Sequence, residues 1–188
     1  MNREFKHLCQ IAGVILLLVI LFINARCYLD SSHFIPEARR TSQVYNTNLL
    51  SRARLYKASE HRSYPNLRKQ TYLRLIAEPG MQKVFVLSKH KVIYIMHAQI
   101  NAQPGRFTSQ GKYGQQLFHV QGQHTVTAKN WAEFGHHYYF ESPVSKDQHP
   151  VSNKWLTKPA KVANTIQLSA PDAKWAQSLP KGTTIIIR

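Results

Sequence analysis

Cysteine is missing from most of this chain: of 188 residues only Cys9 and Cys27 are cysteines, and none follows. From Tyr28 onward there is therefore no disulfide, no thiolate metal ligand and no thiol nucleophile. The two that exist flank an apolar stretch, and on one helix they would stand about 27 Å apart at a rise of roughly 1.5 Å per residue, too far for a bridge within the chain. Acidic residues are scarce as well, 9 Asp+Glu against 25 Lys+Arg, which gives a formal net charge of +16. That shortage excludes an acidic surface and leaves a positive field that draws in anionic partners, whether nucleic acid, anionic lipid or an anionic wall polymer. Internal repeats and low-complexity tracts are absent too, which excludes solenoids and arrays. Aromatic residues at 11% and hydrophobic residues at 43% argue against disorder throughout. The length suits one ordinary domain with an appendage.

Only one long apolar run is present, residues 8–25, interrupted by Gln10, Gly13 and Asn24. About 18 such residues just cross a bilayer core. A cleaved secretory signal shares the basic start and apolar stretch, but the run closes on Ile23-Asn24-Ala25-Arg26-Cys27, which has no A-x-A site and places Arg26 against any lipoprotein cleavage at Cys27. An uncleaved transmembrane signal anchor over residues 8–28 is therefore expected, with residues 1–7 as a cytoplasmic N-terminus. Flanking charge does not orient it, because Arg3 and Lys6 on one side face Arg26, Arg39 and Arg40 on the other.

Residues 29–66 are polar, basic and rich in Ser, Arg and Tyr, with a fair helical periodicity over residues 41–59 at Val44, Leu49, Leu50 and Leu55. This stretch is expected to be a stalk, its charges either a solvated face or a contact with lipid or wall polymer. The folded domain is expected over residues 67–188, where short β-rich segments take over. Lys83-Val84-Phe85-Val86-Leu87-Ser88 and Lys91-Val92-Ile93-Tyr94-Ile95-Met96 read as a hairpin turning at Lys89-His90. Further strands are expected at residues 115–120, 138–141 and 183–188. Before the last of these, Ser169 as N-cap, Pro171 in the first turn and Asp172 near the positive end predict a short helix, left through Pro180-Lys181-Gly182.

Several of these segments carry a family pattern. Thr108-Ser109-Gln110-Gly111-Lys112-Tyr113 resembles a T-P-x-G-x-[FY] motif with Ser109 in the proline position, and Trp131 to Phe134 with Tyr138-Tyr139-Phe140-Glu141-Ser142-Pro143 resembles an aromatic strand ending in F-H-S. The closing stretch is the most specific. Gln167-Leu168-Ser169-Ala170-Pro171-Asp172-Ala173-Lys174-Trp175 and Leu179-Pro180-Lys181-Gly182-Thr183 are similar, almost residue for residue, to R-L-S-x-x-D-A-K-W and I-P-x-G-T. With the opening hairpin, these motifs resemble the L,D-transpeptidase catalytic domain, the YkuD-type family of peptidoglycan enzymes, over residues 64–188. The resemblance implies a mainly β, β-sandwich-like fold with a short C-terminal helix and a cleft for a peptidoglycan stem peptide. It also implies that the domain lies outside the cytoplasmic membrane, which orients the anchor and makes nucleic acid an unexpected partner.

Members of that family attack a peptide carbonyl with a cysteine thiolate paired to a histidine, the cysteine lying in S-H-G-C-[IV]-R-L just before the closing stretch. Counting back from Leu168 puts Thr165 at the cysteine and Gln167 at the arginine; counting forward from Pro159-Ala160 puts Asn164 at the cysteine instead, because this chain is one residue longer. Glu141 stands at the histidine of F-H-S. The resemblance thus implies a degenerate member with no intact catalytic residue. A Thr165 hydroxyl needs a positioned base, and a carboxylate with a reference pKa of about 4.3 is a weak one. Gln167 in place of arginine removes a cationic fork suited to carboxylates. Trp131, Tyr139, Ser142 and Gln167 remain as candidates for lining a substrate groove, with Trp131, Tyr138, Tyr139 and Phe140 either a binding wall or simply core. Of ten histidines, His136-His137 and His119 with His124 invite a metal reading. Neighbours on a strand point to opposite faces, however, so no metal site is expected, and no cofactor either.

Three functions follow. The first is a membrane-anchored, non-catalytic wall-binding homologue whose partner is peptidoglycan or an anionic cell-wall polymer. The second is an active transpeptidase with a non-standard nucleophile, and the third is a basic membrane-tethered adaptor for anionic polymers or lipids.

Overall fold

The computed structural model describes residues 15–22, 53–121, 124–146, 151, 155–156 and 162–188. The chain divides into two compact units, residues 1–43 and residues 44–188. In the first, residues 15–22 form a helix whose apolar side chains, from Ile15 to Phe22, are all exposed. No helix among the described residues is long and apolar enough to cross a membrane. The remainder of the expected anchor (residues 8–28), the N-terminus (residues 1–7) and residues 29–52 of the expected stalk lie outside the described residues.

The second unit is mainly β. Among the described residues its strands are β1 (Leu73–Glu78), β2 (Lys83–Ser88), β3 (Lys91–Asn101), β4 (Gly105–Gln121), β5 (His124–Phe134), β6 (Tyr139–Glu141), β7 (Ser145–Lys146), β8 (Thr165–Leu168) and β9 (Thr184–Ile187), with a short α-helix, α1 (Ala170–Ala176), between the last two. They run in the order β4-β9-β1-β2-β3-β8-β6-β5-β7, and β4 also pairs with β5. Two long strands make this possible. In β3, residues 91–97 pair with β2 and residues 98–101 with β8; in β4, residues 105–108 pair with β9 and the remainder with β5. Each thus passes from one group of strands to the other, so the two groups face each other across a shared core.

Local chemistry explains the elements. β2 and the first half of β3 are mostly Val, Ile, Phe and Tyr, and Ser88 pairs with Lys91 across a two-residue turn in which Lys89 is left-handed at φ 54°. The hairpin read from sequence is present over those residues. β9 alternates buried and half-buried residues and lies parallel to β1. Inward side chains from both groups, among them Val84, Met96, Phe134, Phe140, Ile166 and Ile185, form one core. Burial of such side chains supplies the main drive for folding, about 1.5–3 kcal/mol for each large one.

Helix α1 starts as its sequence predicts: the Ser169 side chain accepts a hydrogen bond from the Asp172 N–H, and proline occupies the first turn. The Asp172 carboxylate then leaves the helix. It accepts from the N–H and hydroxyl of Ser59, from the Tyr64 hydroxyl at 2.7 Å and from the Tyr94 hydroxyl at 3.4 Å. Burial pushes the Asp172 carboxyl above the usual carboxylate range, although these hydrogen bonds oppose the rise. Burial likewise raises Glu60, partly offset by Arg62, and Glu60 accepts from the Ile95 N–H at 2.6 Å. Tyr64 stacks on Trp175 at 4.9 Å, and the Trp175 indole donates to the Pro65 carbonyl.

These contacts bear on the expected stalk. Residues 53–66, its C-terminal end, lie against the domain, with Leu55, Ser59 and Glu60 buried and the Leu55 carbonyl accepting from the Ala170 N–H. Residues 53–59 are not helical. The clamps described above hold this segment down as a strap.

Candidate functional site

Four strands, β5, β6, β8 and β3, lie side by side, and their register fixes which side chains share a face. One row across them is Glu133, Tyr139, Thr165 and Asn101; the next is Trp131, Glu141, Gln167 and Gln99. The alternate residues Ala132, Phe140 and Ile166 belong to the core. Pairing therefore collects a polar face from separate parts of the chain, and Glu141, Thr165 and Gln167, the positions singled out by the sequence pattern, all fall on it.

Glu141 is fully buried. Its Oε1 accepts from the Gln167 side-chain amide at 3.2 Å, and its Oε2 stands 2.6 Å from His119 Nε2, a ring that reaches in from β4 and is 15% exposed. An ionised carboxylate only accepts, so the ring nitrogen facing it carries a hydrogen. His124 lies elsewhere, paired with Gln121 at the start of β5. The His119–Glu141 contact was not foreseen. His119 lies 22 positions from Glu141, and nothing local to either residue signals the pairing.

Thr165 is fully buried and its hydroxyl donates to the Val162 carbonyl at 2.8 Å. Asn164, the other register for the nucleophile position, is a left-handed residue at φ 60° whose N–H donates to the Asn101 carbonyl and whose carbonyl accepts from the Tyr139 N–H, both at 3.0 Å. Its backbone turns the chain into β8. Among the groove candidates, Ser142 is buried and its hydroxyl oxygen accepts from the N–H groups of Lys129 and Asn130, at 2.8 and 3.3 Å. Gln167 is buried on Glu141. Trp131 and Tyr139 are half-buried and meet edge-to-face at 5.8 Å, while Phe140 lies in the core.

Tyr139 is flanked by acids. Burial first, then the nearby Glu133 and Glu141, push its hydroxyl above the ordinary tyrosine value, with Lys112 opposing. Glu133 Oε2 pairs with Lys112 Nζ at 3.3 Å and its Oε1 accepts from the His137 N–H at 3.3 Å. His136 and His137 do not obey strand alternation: they lie in the turn between β5 and β6, with ring centroids 3.9 Å apart. Their ring nitrogens and a Glu133 carboxylate oxygen lie within 4.8 Å of one another.

No protein-family model matches the sequence, and no relative is found among curated proteins. Solved structures similar in fold include the Mycobacterium tuberculosis L,D-transpeptidase 1 (15% identity, TM-score 0.48, covering 62% of this chain and 61% of that one). An Enterococcus faecium L,D-transpeptidase is similar at 14% identity and TM-score 0.48, covering 62% of this chain and 49% of its own. A fused Zn-dependent amidase/peptidase/peptidoglycan-binding domain-containing protein from Clostridium acetobutylicum gives 20% identity and TM-score 0.46, covering 65% and 56%. The chain spans about half to three-fifths of the length of these proteins.

Proposed function

We propose that this protein is a membrane-anchored, extracytoplasmic homologue of L,D-transpeptidases that binds peptidoglycan or an anionic wall polymer and carries out no acyl transfer. Two things support it from the sequence: the motif pattern over residues 64–188, and a net charge of +16 suited to anionic polymer. The apolar run over residues 8–25 supplies the anchor in this reading.

The observation that carries the non-catalytic part is the state of the two key side chains. Acyl transfer needs a nucleophile within hydrogen-bond reach of a base. Here the Thr165 hydroxyl is shut from solvent with its hydrogen on the Val162 carbonyl, and both oxygens of Glu141 are engaged by His119 and Gln167. Neither is poised for the other. The His119–Glu141 pair is the one foothold for the catalytic alternative, since a carboxylate-held imidazole is half of a nucleophilic site. Among the described residues, no hydroxyl or thiol is hydrogen-bonded to the His119 ring to complete it.

The test uses the purified full-length protein with disaccharide-tetrapeptide muropeptides and an amine acceptor, read by mass spectrometry, beside retention on peptidoglycan sacculi. The expected result is no product, with retention that weakens as salt is raised. Release of the terminal residue or a cross-link, abolished by Thr165→Ala, would establish the catalytic reading. No product and no retention would favour the adaptor.

A further inference from the structure

We propose that Glu133, His136 and His137 form a binding site for a divalent transition-metal ion of the zinc type at the closed end of the β5–β6 hairpin. One carboxylate oxygen and two imidazole nitrogens are the donor set such an ion takes, with a further position left for water or an anionic oxygen. The three donor atoms already lie within 4.8 Å of one another. Around a tetrahedral ion with bonds of about 2.1 Å they would stand about 3.4 Å apart. Both histidines are exposed, so ring rotation can close that difference without disturbing the core, whereas Glu133 is buried and holds a fixed position on β5.

The backbone makes this convergence possible. Gly135 and His137 are both left-handed, at φ 68° and 61°, and together they turn the chain so that two successive rings fall on the same side. Left-handed backbone comes without penalty at glycine, and histidine adopts it more readily than most residues that carry a side chain.

The charged and polar neighbours are few. Lys112 Nζ pairs with Glu133 Oε2, but the lysine side chain is 71% exposed, and such a solvent-screened pair yields easily to a divalent ion. Among the described residues, the His137 N–H on Glu133 Oε1 and the Tyr139 hydroxyl, 3.4 Å from His137 Nδ1, are further polar contacts. With the ion in place, the turn that connects β5 to β6 is cross-linked, and β6 carries Glu141.

The experiment is a zinc titration of the full-length protein in competition with a chromophoric chelator, with metal content after dialysis and thermal melting as second readouts. Ten histidines are present, so the variants decide the site. One zinc per chain with a Kd in the micromolar range or tighter is expected, together with a zinc-dependent rise in Tm. His136→Ala and His137→Ala, both on the exposed turn, are expected to weaken binding at least tenfold and abolish the rise, and Glu133→Gln to act likewise. His61→Ala, an exposed histidine on the strap, is expected to leave both unchanged. Failure of the wild type to bind, or equal binding by the wild type and the His136→Ala/His137→Ala double variant, would overturn the proposal.

Discussion

Replacing His119 by alanine removes the group that faces Glu141 Oε2 at 2.6 Å and leaves a fully buried carboxylate with the Gln167 amide on its other oxygen. Taking the partner from a buried carboxylate costs about 3–5 kcal/mol, because the carboxylate is left uncompensated away from water. Two features reduce that here: Gln167 stays, and the 15% exposure of His119 shows that water can follow into the space it vacates. A loss of about 2–4 kcal/mol is therefore expected, equivalent to a drop in Tm of roughly 5–15 °C for a domain of this size. Because the loss comes from a stranded charge, removing the charge should remove most of it. In a Glu141→Gln background, His119→Ala is expected to cost about 1 kcal/mol or less, a coupling of at least about 1–3 kcal/mol between the two positions. Urea unfolding followed by tryptophan fluorescence measures all four corners of this cycle, since Trp131, Trp155 and Trp175 all lie in the domain. A His119→Ala protein within about 0.5 kcal/mol of the wild type, or an equal loss in both backgrounds, would refute the argument.

Asp172 offers a pH test. Its folded-state carboxyl is held above its unfolded value by burial, so between the two values the folded protein binds the extra proton and stability falls as pH rises. The favourable contribution is complete below the ordinary carboxylate range near pH 4 and lost as pH climbs through the raised folded value. Asp172→Asn should remove this slope, and parallel pH–stability curves for the two proteins would contradict the reading. Gly135→Ala places a Cβ 2.8 Å from the Phe107 ring at a left-handed residue, so a loss of about 2–3 kcal/mol is expected from denaturant melts. Thr165→Val leaves the buried Val162 carbonyl without its hydroxyl donor, and an unfolding loss of about 1–2 kcal/mol with no change in sacculus retention is expected. A fall in retention with unchanged stability would assign Thr165 to binding.

Elements whose signals are local were legible in the sequence. The β2–β3 hairpin announces itself by dense β-branched residues around a two-residue turn, and α1 by Ser169, Pro171 and Asp172. β8 was not expected, because Thr165-Ile166-Gln167-Leu168 is only four residues long and buried on both faces, so it shows no alternation. Only part of β4 was anticipated: its 17 residues include three glycines and four glutamines, and its register shifts between Ser109 and Tyr113, so pairing rather than propensity sustains it. The site divides in the same way. Motif positions named Glu141, Thr165 and Gln167, and strand register brought them onto one face, whereas His119 arrives through long-range pairing. The histidine pair misled the strand-alternation rule because a left-handed His137 makes that stretch a turn.

The strap over residues 53–66 has a mechanical consequence. Any pull reaching the domain from its N-terminal side meets Leu55, Ser59, Glu60 and Tyr64 before it meets β1, and three of these are tied to α1 and one to β3. Tension is thus spread across side-chain clamps on two elements, and in a single-molecule pulling experiment Asp172→Ala should release the strap at lower force while the sheet holds.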